Sequence, residues 1–154
     1  MMNNHILSGS GWAKTFTPDG SNGLATIQPA NGWVCPRASS LTVSGKIEAI
    51  LNSPTTWAWR LVPEVQYPHT SDFQFSRPDW RQVSPAALGF RALDTAQADE
   101  TGILLADNTQ GPMPRYFSFS LDVSGIHGVR FRSEITYTGN APSIRSSLVI
   151  SEHI

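Results

Sequence analysis

The chain offers twelve carboxylates, four histidines and one cysteine for chemistry, and their spacing brings almost none of them together. Acid–base cleavage needs two carboxylates converging on one bond. Most candidates, including Asp72, Asp79, Asp94, Asp99, Glu100 and Asp107, fall in stretches that read as loops, where carboxylates serve solubility. Glu134, beside Arg132 on one polar strand face, is expected to be a cross-strand ion-pair partner and not a base. Serines are plentiful, but there is no Gly-x-Ser-x-Gly elbow and no phosphate-cradling glycine loop ahead of a helix. His5, His69, His127 and His153 are dispersed, without the paired spacing or companion cysteines of a zinc site. Asp19-Gly20-Ser21-Asn22 and Asp107-Asn108-Thr109 carry oxygen donors of the kind calcium takes, yet neither has EF-hand spacing and both match ordinary turn chemistry. Cys35, flanked by Val34 and Pro36, excludes an intramolecular disulfide and is expected to be a small buried hydrophobe, since no histidine lies near it in sequence. The expectation is a chain without catalysis, metal or cofactor.

Side chains that bind are better represented. Trp57 and Trp59 share one sheet face, because residues two apart on a strand point the same way. Two roles are open to them: filling the space between two sheets, or forming a flat platform for sugar rings, with Arg60 or Tyr67 hydrogen-bonding hydroxyls. Trp80, between Pro78-Asp79 and Arg81-Gln82, is expected to be the exposed aromatic. Arg130 and Arg132 share a face opposite Val129 and Phe131, with Arg145 joining from a neighbouring strand. They read either as a solvated face balanced by Asp122 and Glu134, or as a docking face for an acidic neighbour. A net charge of -1 supplies no bulk attraction for nucleic acid or an anionic membrane. Arginine outnumbers lysine, which occurs only as Lys14 and Lys46, and that preference is typical of protein interfaces.

The elements that must position these residues are strands. Phe117, Phe119, Leu121 and Val123 alternate with polar residues, the period of a strand with one buried face. After the turn at Ser124-Gly125 the alternation resumes through Val129, Phe131, Ser133, Ile135 and Tyr137, and a third run follows from Ile144 to Ile150. Upstream, Ala25 to Gln28, Gly32 to Cys35 and Leu41 to Val43 are short strand candidates, and Ile47 to Leu51 and Trp57 to Leu61 flank the Asn52-Ser53-Pro54 turn as a hairpin-like pair. Leu41-Thr42-Val43-Ser44-Gly45 echoes Leu121-Asp122-Val123-Ser124-Gly125, which suggests either two equivalent hairpins in two sheets or merely two strand ends. The proline-punctuated middle, Pro63 to Asp79, reads as a long loop with an edge strand from Asp72 to Arg77. Ser84-Pro85 could start a helical turn, with a strand from Leu88 to Leu93. Ala96 to Thr101 reads as a turn or short helix, and Ile103 to Ala106 as a further strand. Residues 1–23, glycine- and serine-rich with only Trp12 and Phe16 as anchors, read as a flexible N-terminal arm on a single domain spanning 24–154. The expected fold is all-β, an antiparallel, jelly-roll-like β-sandwich.

The segment from Phe117 to Gly125, followed by Gly128 to Asn140, resembles the closing strands of galactose-binding-like jelly-roll modules and of jelly-roll bacteriophage capsid-decoration and tail proteins. The first resemblance implies a carbohydrate-binding module that stacks glycans on Trp57, Trp59, Arg60, Tyr67 and Trp80. The second implies a non-enzymatic structural subunit that contacts other subunits, including copies of itself, through its arm and sheet edges, with Trp12, Phe16, Arg130, Arg132 and Arg145 at the contacts. The N-terminus has no basic start followed by an apolar run, and no window has eighteen apolar residues. Synthesis in the cytoplasm without a signal peptide, no membrane span, and association with a virion are the corresponding expectations.

Overall fold

The computed structural model describes residues 38–67 and 80–153 in full and, before them, the backbone of four short strands at 2–6, 14–16, 24–27 and 33–34. Those four are β1 (Met2–Ile6), β2 (Lys14–Phe16), β3 (Leu24–Ile27) and β4 (Trp33–Val34). They are followed by β5 (Ser40–Leu51), β6 (Pro54–Gln66), β7 (Arg81–Gln82), a 3₁₀ turn (Pro85–Leu88), β8 (Arg91–Asp94), β9 (Gln97–Ala98), β10 (Ile103–Asp107), β11 (Arg115–Asp122), β12 (Gly128–Gly139) and β13 (Ser143–His153). Sheet one runs β1-β13-β5-β11-β8, with β2 also on β13; sheet two runs β3-β12-β6-β10-β9, with β4 on β12 and β7 on β6. Four antiparallel pairs are nested in the chain: β1 with β13, β3 with β12, β5 with β11, and β6 with β10. A long hairpin wrapped so that successive pairs fall in alternate sheets is a jelly roll, and the expected sandwich is the observed fold.

The core lies between the sheets. Phe117, Phe119 and Leu121 of β11 and Leu41 and Val43 of β5 meet Trp59 and Leu61 of β6 and Phe131 and Ile135 of β12, all within one buried cluster. The Trp59 ring stands edge-on to Phe117 at 5.9 Å, and Phe119 stands edge-on to Phe131 at 6.2 Å, the arrangement that the ring quadrupoles favour. The indole of Trp59 donates to Ser133 Oγ at 2.7 Å, so its one polar atom is satisfied in the interior.

Three expectations change. The Ser44-Gly45 pair ends no strand: β5 passes straight through it, because Gly45 leaves room for the Phe117 ring across the ladder, and a Cβ there would sit 2.3 Å from that ring. Ser124-Gly125 is a true turn, with Gly125 at φ 77°, and the two echoing segments lie side by side in sheet one, Leu41 opposite Leu121, and not in separate sheets. The strands either side of Asn52-Ser53 form no hairpin, since β5 belongs to sheet one and β6 to sheet two. Asn52 and Ser53 both take positive φ, 71° and 46°, in the tight link that carries the chain across.

Both readings of Ser84 to Leu93 hold in part. Ser84 caps a single 3₁₀ turn, its hydroxyl accepting from the Ala87 N–H, before strand β8 begins at Arg91. Of residues 1–23, the described parts, Met2–Ile6 and Lys14–Phe16, are strands that follow one another along the β13 edge. Cys35 and the edge strand expected at Asp72 to Arg77 lie outside the described residues. Among the described residues, no helix is long and apolar enough to cross a membrane.

Candidate functional site

The two sheets turn very different faces outward. On sheet two, alternation along β6 and β12 places Arg60, Glu64, Arg130, Arg132 and Glu134 on the outside. Arg130 Nε donates to Glu64 Oε1 at 2.7 Å, and Arg132 lies 4.0 Å from the other Glu64 oxygen. Arg132 also donates to Gln82 Oε1 at 3.1 Å and to Glu134 at 3.5 Å. The Glu64 side chain is only 14 % exposed, so its charge is held between two guanidinium groups with little water. Arg60 pairs with Asp99, whose carboxylate is held well below the ordinary range by that guanidinium first, then by the hydroxyl and amide of Thr101. Each of these charges is thus answered from within the face.

Arg145 does not join Arg130 and Arg132. It lies exposed on β13, in the other sheet, because β12 and β13 cross between sheets and are not neighbours. Trp12 and the side chain of Phe16 lie outside the described residues, although the Phe16 backbone pairs with Ile144.

Trp57 and Trp59 form no platform on the surface. Trp57 and Trp59 are 7 % and 0 % exposed and fill the space between the sheets. Trp80 is half-buried, with the Arg130 guanidinium 4.5 Å over its ring, so that one face is already covered by a cation–π contact. Tyr67 is 45 % exposed, and Arg60 is engaged with Asp99; the five residues do not converge on one surface.

Outside sheet one, hydroxyls replace charges. The rows across β13, β5 and β11 read Val149-Ser44-Ser118 and Ser151-Thr42-Ser120, bounded at one end by His153-Ser40-Asp122 and at the other by Ser147-Lys46-Tyr116. The hydroxyls of Ser44 and Ser118 meet at 2.8 Å, and Thr42 meets His153 Nε2 at 2.9 Å. Tyr116 is 56 % exposed, with the Lys46 ammonium 5.8 Å over its ring. Asp122 accepts from the Ser124 N–H at 2.9 Å, which, with the Ser124 hydroxyl, holds its carboxyl below the ordinary range. Sequence reasoning saw these positions only as the polar half of each alternation. The available signal was that seven of the twelve residues in these rows are serine or threonine and only Lys46 and Asp122 are lysine, arginine or acidic residues.

A hollow of about 720 Å³ is lined by Ser84, Ala86, Phe90, Ala98, Asp99 and Glu100. Asp99 is committed there to its own turn, accepting from the N–H groups of Thr101 and Gly102 at 2.8 and 3.0 Å. Asp107 likewise accepts from the Thr109 N–H at 2.9 Å and closes its own turn. Among the described residues, no three His, Cys, Asp or Glu side chains come together to hold a metal ion. No protein-family model, curated protein or solved structure matches the chain.

Proposed function

We propose that this chain is a non-enzymatic structural subunit of a larger assembly, a bacteriophage virion component of the capsid-decoration or tail type, acting through protein–protein contacts. The observation that carries this reading is the outer face of sheet one. Its centre holds Thr42, Ser44, Ser118, Ser120, Val149 and Ser151, with no ionisable group, and Tyr116 stands exposed beside them. Depletion of charge and retention of an aromatic are two features of an interface centre, whereas the serines of this face are not among the residues interfaces favour. The jelly-roll strand order adds a fold-level analogy, since capsid proteins use this fold, as do lectins. The loss of Trp57 and Trp59 to the core weighs against the lectin branch of that analogy.

Light scattering behind size exclusion, at two protein concentrations, tests the reading. A mass that is a stable multiple of the chain supports it. A monomer at both concentrations that is retained on galactose-bearing resin would replace it with a sugar-binding module.

A further inference from the structure

We infer that the outer face of sheet one seats a second copy of this chain, packed face to face about a two-fold axis that lies in the interface and runs across the strands. This rests on the assembly reading and names its contact.

Charge chooses the partner and the axis. Asp122 stands at one end of the face, and Lys46 stands six residues away along the paired strand, at the other end, with hydroxyls between and with exposed Glu48 and Arg145 beyond Lys46. An axis across the strands reverses one copy end for end, which lays the Lys46 end of each copy over the Asp122 end of the other, twice. An axis along the strands would instead bring Lys46 against Lys46, and like charges in a closing interface are costly. The same patch must serve both copies in a two-fold contact, and a face with opposite charges at its two ends is self-complementary in this way. Arg91 lies on the edge strand β8, paired with Ser120 and outside the central rows.

Shape agrees. Two sheets pack about 10 Å apart when small or interdigitating side chains separate them, and serine, threonine and valine permit that approach without displacing long charged chains. Hydroxyls that now meet each other or solvent can rotate to bond across the contact, as Ser44 and Ser118 already do at 2.8 Å. The hydroxyl-bearing section spans three strands, β13, β5 and β11, and runs from Ser40 to Lys46. With strands about 4.8 Å apart and residues about 3.3 Å long, that section covers roughly 330 Å² in projection. Specific interfaces begin at about 600 Å² of accessible surface a side, so the contact must extend beyond these rows onto the flanking strands of sheet one.

The test is sedimentation equilibrium on the full chain. The wild type is expected to dimerise. Ser118→Arg, which puts a long cation at the centre, should weaken association by more than about tenfold, while Thr136→Arg on the exposed outer face of sheet two should leave the mass unchanged. Lys46→Asp and Asp122→Lys should each weaken the dimer, and the double reversal should restore it. That rescue would not follow from damage to the fold, and thermal melting of each variant checks folding independently. A wild-type oligomer indifferent to Ser118→Arg and to both charge reversals would overturn this contact and leave the assembly reading standing. A wild-type monomer would overturn it too, and would leave the assembly reading only with partners other than itself.

Discussion

The outer faces of the two sheets have the same backbone geometry and opposite chemistry. Sheet two carries Glu64, Arg130, Arg132 and Glu134 in one ion-pair network, with Trp80 and Gln82 laid against it and Arg132 Nε buried without a hydrogen-bond partner among the described residues. Sheet one carries hydroxyls, one valine and an exposed tyrosine, with charge only at its margins. A guanidinium already paired with a carboxylate has little left to offer a neighbour, because a new contact must first break the old one. Short hydroxyl side chains demand little desolvation and re-pair freely. The face with more charges is therefore the self-sufficient one, and the plainer face is the one we propose for a partner.

The contrast can be broken most severely at Glu64. Glu64→Ala leaves two half-buried guanidiniums without their shared carboxylate, and is expected to cost about 3 kcal/mol in urea unfolding. Ser118→Ala on the opposite face should cost no more than about 1 kcal/mol, the net worth of a hydroxyl hydrogen bond. Equal losses at the two sites would erase the distinction between a committed face and an uncommitted one.

A smaller effect separates the two Ser-Gly pairs. Gly45→Val drives methyl groups into the Phe117 ring and the Ser147 carbonyl, the nearest atoms lying 2.3 and 2.6 Å from its Cβ, and is expected to cost about 2 to 3 kcal/mol. At Gly125, where nothing lies within 4 Å of an added Cβ, alanine meets only the strain of its positive φ, about 1 kcal/mol. Urea melts of the two variants side by side rank them.

The smallest effect is in the acid limb. The folded-state pKa of Asp99 lies below the ordinary 3.8, so its contribution is fully present above that value and is lost as pH falls through the folded one. Asp99→Asn should therefore flatten the loss of stability below about pH 4 and lower stability at pH 7 by a matching amount, small because the pair is largely exposed and screened. An unchanged acid limb in that variant would remove the Arg60 contact from any role in stability.

These predictions also divide what was legible in the chain from what was not. The alternation of Phe117, Phe119 and Leu121 announces a half-buried strand, because side-chain direction with period two is a property of the backbone alone. Strand type, sheet class and the inward-pointing residues were readable for that reason, as was the turn at Gly125. The destination of each strand was not. β5 and β6 are joined by a two-residue link and enter different sheets, and Arg145 is only thirteen residues from Arg132 yet lies on the opposite outer face. Nested pairing joins segments far apart in the chain, so no local window contains both halves of a ladder.

The same limit explains the two pentapeptides that end in Ser-Gly. Local composition alone made Leu41 to Gly45 and Leu121 to Gly125 alike. One is mid-strand, with the Phe117 ring, supplied from seventy-two residues away, in the space beside Gly45; the other is a turn, with Gly125 at φ 77° and open space beside it. Whether Trp57 and Trp59 faced a core or a ligand was decided in the same way, by the sheet packed against them. Composition and periodicity determined that this protein is a β-sandwich. Only the tertiary structure decided which of its two polar faces spends its charges internally and which keeps a surface free, because that depends on which distant strands become neighbours.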